Sequence, residues 1–213
     1  MRRKLARRFL EAAAWLLLLV VSLGLVSYAR WLYRIAEGNR ALAAADIAQA
    51  RQAYAAAAQH LEGFGALRAL LPSGYRQLIF NRARALYAAG EDEELARMLD
   101  TEAARAPFLA EESEYHYWMG NVQCRRALAQ KDKQALQVGL QQAGESYRRA
   151  LAASPNDWDS KFNYELVTHV LENMRKGKED SLERLKRGQV KLLRENIEKS
   201  RNQQNQLAPE KRG

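Results

Sequence analysis

Three histidines, one cysteine and a run of four acids are the residues here whose chemistry would say most, and their spacing sets up no reaction. His60, His116 and His169 stand far apart. No HExxH, CxxC, GxSxG, Walker or GxGxxG pattern links them to a nucleophile, a metal or a nucleotide. Cys124 is the sole cysteine; it can form no intrachain disulfide and reads as a small apolar core residue. Glu91-Asp92-Glu93-Glu94 opens a helix, where negative charge suits the positive end of the backbone dipole, so it reads as capping and solvated surface. No catalysis, no cofactor and no metal site is expected. What remains is polar recognition. Asn39 and Asn121 each follow a glycine, Arg125 lies one turn beyond Asn121 and can pair with a carboxylate, and Lys161 and Asn163 stand on the last amphipathic stretch. The alternative for Arg125 and Lys161 is solvation or local pairing with acids such as Asp159.

These residues must be held by helices. Alanine, leucine, arginine and glutamate dominate, with 12 glycines and four prolines in 213 residues, so the fold class is all-α. Ala143, Tyr147 and Ala150 form a small-large-small helix face, and Pro155 follows, where a helix stops. Met119-Gly120-Asn121 places a glycine inside the preceding helix at a cost of about 1 kcal/mol against alanine, which marks close helix contact. Gly38-Asn39 followed by Ala50, Tyr54 and Ala57 repeats that order, with Asp46 placed to cap the second helix. Between them, residues 75–89 and 91–104 read as a degenerate helix pair, divided by Gly90 and stopped by Pro107. Trp158 to Met174 reads as a closing helix, with Phe162, Leu166, Val170 and Leu171 docking on Tyr147 and Ala150.

The glycine-asparagine step followed by A-x3-Y-x2-A-x4-P resembles a tetratricopeptide repeat. The interval between Gly120 and Ala143 exceeds the usual repeat, and QKDKQALQVGL is expected to form a loop and an extra turn. In such repeats the asparagine commonly faces a concave groove and bonds a peptide backbone. The resemblance therefore implies a partner-binding groove with Asn39, Asn121, Arg125, Lys161 and Asn163. The pairing of W-M-G-N-x3-R-R-A-L with E-S-Y-R-R-A-L and P-N-D-W-D-S-K-F-N-Y-E-L is similar to the MxaK-type proteins. These are small membrane-anchored repeat proteins encoded beside MoxR-type AAA+ ATPases and von Willebrand factor A-domain proteins, first known from methanol dehydrogenase gene clusters. Tyr164 departs from their pattern, which usually has leucine. The resemblance implies an adaptor that matures or metal-loads a client enzyme with those partners. A general repeat component of secretion or envelope assembly is the alternative.

Charge is concentrated at the two ends. Of the net +9, residues 1–8 carry five Arg/Lys and no acid, residues 172–213 twelve against seven, and the chain between them seventeen against eighteen. A nearly neutral middle lacks the concentrated basic face that nucleic acid requires, so no nucleic-acid partner is expected. Ala12 to Ala29 is uncharged; at 1.5 Å per residue it covers about 27 Å, close to the thickness of a hydrocarbon core. Trp15 at one end and Tyr28, Trp31 and Tyr33 at the other resemble interfacial anchors. A buried soluble helix would need no basic cluster before it. A cleaved signal peptide is the rival, since Ser27-Tyr28-Ala29 fits small-x-small.

The expected layout is a basic cytoplasmic segment over 1–8, a signal-anchor helix over 9–33, a repeat domain over 34–174, and a basic helix with a disordered tail over 175–213. The basic N-terminus favours the cytoplasmic side. The body would then lie in the periplasm of a bacterium with a single pass through its inner membrane. The tail offers a further contact with acidic lipid headgroups.

Overall fold

The computed structural model describes residues 2–62 and 70–176. Among the described residues the chain is entirely helical, with seven α-helices and one 3-10 turn and no strand. In chain order these are α1 (Arg2–Ala43), α2 (Ile47–Glu62), α3 (Pro72–Ala89) and α4 (Asp92–Arg105). A 3-10 turn (Pro107–Glu111) leads to α5 (Ser113–Leu128), α6 (Lys133–Ala153) and α7 (Trp158–Arg175). Consecutive helices pack as hairpins, α1 with α2, α3 with α4, and α5 with α6, and α7 lies against α6. The expected tail beyond Lys176 lies outside the described residues, as do residues 63–69.

Local chemistry accounts for the breaks. The Asp46 carboxylate accepts the Gln49 N–H at 3.0 Å and the Asp132 carboxylate accepts that of Ala135 at 2.7 Å, each satisfying a free donor at a helix start. Gly90 ends α3 with φ 77°, a left-handed conformation glycine adopts without strain, and its N–H reaches the last carbonyls of that helix. Pro107 opens the 3-10 turn after α4. The turn before α7 is held by Asp157, which accepts from the Asp159 N–H and the Ser160 hydroxyl. Trp158, placed there by its sequence position, is 75 % exposed.

The two glycine-tyrosine hairpins close as their spacing implies. A Cβ on Gly120 would stand 2.7 Å from the Tyr147 ring, and one on Gly38 would stand 2.5 Å from the Tyr54 ring. Both tyrosines are fully buried. Gly120→Ala therefore sets a helix gain of about 1 kcal/mol against an overpacking cost of about 1–3 kcal/mol. The ring cannot retreat, because its hydroxyl is bonded to Asn121. A net loss of about 1 kcal/mol is expected, lowering Tm by about 3 °C in thermal unfolding. An unchanged or raised Tm would show that the contact is slack.

One expectation is corrected and others are refined. The long interval after Gly120 holds a short turn over 129–132 and extra helix: α6 starts at Lys133 and QALQVGL lies in its first two turns, with Gly139 seated against Ala127. α1 runs unbroken from the apolar stretch into the first hairpin. Trp31 is no interfacial aromatic; it is 2 % exposed, lies 5.8 Å from Tyr28 between ring centres, and meets Gly74 of α3. The unbroken exposed run of α1 is Phe9 to Val26, in which every residue is open to the surroundings. Within the described residues, Phe9–Ala43 is long and apolar enough to cross a membrane. Ser27, bonded to His60 of α2 at 2.7 Å, marks where the packed body begins.

Candidate functional site

The first helices of the hairpins, α1, α3 and α5, line a cleft of about 510 Å³. Its apolar wall comes from α1, where Leu32 is 43 % exposed beside buried Trp31 and Ile35. Its polar wall comes from α3, through Arg76 and Gln77. Glu114 of α5 closes it and is shared with a second hollow of about 300 Å³ that continues along Arg84, Asp157 and Asp159 to the start of α7. One surface thus runs across four helices, apolar at the α1 end and charged at the other.

The polar groups of this surface are held. Arg76 donates to Glu112 at 2.9 Å. Glu114 reaches solvent at the cleft mouth but is crowded on its other sides; this raises its carboxyl above the ordinary range, against the pull of Arg84 and Arg76. A carboxyl so placed can accept from a donor or pair with a cation entering the cleft mouth.

The five residues expected to line a groove do not assemble into one. Asn121 is 2 % exposed, and its Oδ1 accepts from the Tyr147 hydroxyl at 2.8 Å and the Asn163 amide at 3.1 Å. Asn39, half-buried, repeats this: its Oδ1 accepts from the Tyr54 hydroxyl at 2.7 Å and the Asn81 amide at 2.9 Å. Asn163 is fully buried. Asn39 and Asn121 satisfy tyrosine hydroxyls that would otherwise be stranded inside, and they tie each hairpin to the next helix. Arg125 is also occupied. It donates to the Tyr87 carbonyl at the end of α3 and to Asp92 at 2.9 Å, with its guanidinium 3.6 Å from the Tyr87 ring centre. Lys161 is exposed on α7 beside Trp158, away from the cleft. The periodicity gave Leu32, Gln77 and Glu114 no distinguishing mark, because each is an ordinary residue until the helices bring them together.

The acidic run has more to do than cap a helix. Arg51 of α2 pairs with Glu91, Arg82 of α3 with Glu94, and Arg125 and Arg126 of α5 with Asp92 and Glu93. The start of α4 thus gathers bases from all three hairpins. Burial raises the Asp92 carboxyl above its ordinary value although Arg125 lies in contact, so desolvation outweighs the pairing. Such bonds orient the hairpins and add little net stability.

Cys124 is fully buried, and burial pushes its thiol up to about 12, which leaves no thiolate for reaction. Among the described residues no three His, Cys, Asp or Glu side chains stand close enough to hold a metal ion. His116 faces Tyr115 edge-on and His169 bonds Asn173, each apart from the cleft. Comparison with known proteins finds no matching family model, no matching curated protein and no matching solved structure.

Proposed function

We propose that this protein is a single-pass membrane adaptor whose helical hairpins hold an extended or helical segment of another protein in the α1–α3–α5 cleft. The observation that carries this reading is the continuity of α1. One helix supplies an exposed apolar stretch of membrane-spanning length and, further along, the apolar wall of the cleft. A segment bound there lies close to the bilayer.

The finer reading follows the sequence resemblance. The hairpins act as tetratricopeptide-type repeats, and the partners are a von Willebrand A-domain protein and the MoxR-type ATPase it serves, with the adaptor helping to mature a client enzyme. The five bases before the apolar stretch keep the N-terminus cytoplasmic and the hairpins in the periplasm. The tail adds a contact with acidic headgroups.

The test is co-purification of the full chain from detergent with A-domain and ATPase partners, compared with Leu32→Glu and Gln77→Arg. Both positions are exposed, so the fold is retained. Recovery of the partner is expected to fall about tenfold, equivalent to 1.4 kcal/mol. Enrichment of secretion machinery in place of these partners would favour the envelope-assembly alternative. Equal recovery by both variants would remove the cleft from the account.

A further inference from the structure

The asparagine ladder is unfinished at its last rung. Asn39, Asn81, Asn121 and Asn163 occur at intervals of 42, 40 and 42 residues, one on the first helix of each successive hairpin. Asn39 and Asn121 accept a hydroxyl from the second helix of their own hairpin and an amide from the next first helix. Asn163 donates its amide to Asn121, but its Oδ1 is fully buried and meets no donor among the described residues. A buried acceptor left so costs about 1–3 kcal/mol.

The same place lacks an apolar cover. Phe162, directly before Asn163, is 47 % exposed, whereas Phe80, directly before Asn81, is 2 % exposed. Trp158, one turn away, is 75 % exposed. α7 is thus a first helix whose second helix is missing from the described chain, and 37 residues follow Lys176, where the hairpin turn would begin.

Those residues carry the required register. The buried face of α6 is Leu140, Ala143, Tyr147 and Ala150. Advancing each by the 42 residues that separate Asn121 from Asn163 gives Leu182, Leu185, Gln189 and Leu192. Where Tyr147 supplies a hydroxyl to Asn121, position 189 is a glutamine, whose shorter side chain ends in an amide able to donate. The sizes are complementary: Gly120 faces a tyrosine, and Phe162 would face the smaller glutamine. The second hairpin offers a precedent, since Phe80 precedes its asparagine and α4 contains no aromatic residue. Lys186 falls at the register of Gly144, which faces the next first helix through Val167. A lysine suits a hairpin with solvent on that side, because a terminal repeat needs a polar outer face.

We infer that residues 181–193 form the second helix of a fourth hairpin and lie over Phe162 of the same chain, with the Gln189 amide donating to Asn163 Oδ1. The fold would then close with four complete hairpins, and the basic tail in the membrane-contact reading would shrink to the residues after it.

Cross-linking tests this on the full chain in detergent. Phe162→Cys with Gln189→Cys should link within one chain on mild oxidation, as Gly120 and Tyr147 are in contact. Phe162→Cys with Arg187→Cys, at the register of exposed Glu145, should not link. Products are read by mobility without reductant and by peptide mapping. Hydrogen exchange on the unsubstituted chain guards against a folding defect in the variants: amides 183–193 should exchange at least about a hundredfold more slowly than an unstructured chain. Absence of the first link, equal linking of both pairs, or unstructured-rate exchange over 183–193 overturns the inference. Linking between chains also overturns it and makes a second copy the occupant. None of these readouts involves the proposed partner, so they stand apart from the fate of the cleft.

Discussion

Asn121→Ala is expected to lower the unfolding free energy by about 3–5 kcal/mol, a large share of what holds a domain of this size together. The side chain is 2 % exposed and its Oδ1 serves two buried donors, the Tyr147 hydroxyl and the Asn163 amide. Alanine strands both, at about 1–3 kcal/mol each, and leaves a small void. Asn39→Ala removes the equivalent acceptor where it is half-buried and water can replace it, so about 1 kcal/mol is expected there. Tyr147→Phe should cost about 1–2 kcal/mol, and in combination with Asn121→Ala the losses should fall well short of additive, because both report on one bond. Urea unfolding of the three single variants and the double variant decides this. Equal, small effects at Asn39 and Asn121 would return Asn121 to a surface role and reopen it as a contact for partners.

Removing residues 2–26 should move the protein from the membrane fraction to the soluble one while leaving Tm within a few degrees. Every residue from Phe9 to Val26 is exposed, so none contributes to the packed body. Leucine, valine and phenylalanine each favour the bilayer by about 0.3–0.6 kcal/mol, and this stretch is rich in them. Extending the deletion through Tyr33 should have the opposite signature. It takes away Trp31, at about 3–5 kcal/mol for a large buried aromatic, together with the Ser27–His60 bond. Circular dichroism and sedimentation of the two shortened proteins separate anchor from body. A protein that stays with membranes after the shorter deletion would show that something other than α1 holds it there. Loss of folding on the same deletion would mean that the apolar stretch belongs to the globule. The contrast also bears on cleavage after Ala29, which would sever Ser27 and Tyr28 from the contacts they make.

The hairpins were legible because their signals are local. Gly38 with Tyr54, and Gly120 with Tyr147, announce close contact through size alone, and the structure seats each ring against its glycine. Gly90 and Asp46 read as a stop and a cap for reasons confined to a few neighbouring residues. The recurrence of asparagine at intervals of 42, 40 and 42 residues was equally available, but Asn81 and Asn163 follow phenylalanine and escape a search for glycine-asparagine.

The sequence by itself determined which segments coil, where they break, which faces are apolar and which stretch has the length and composition for a bilayer. All of these follow from side-chain size, polarity and spacing within one or two turns. Only the tertiary structure decided that Asn121 and Arg125 bond inward, that Trp31 belongs to the core, and that Leu32, Gln77 and Glu114 share a surface. An amide or a guanidinium is equally suited to water, a peptide or a buried carbonyl. Which one it meets depends on helices that approach from dozens of residues away.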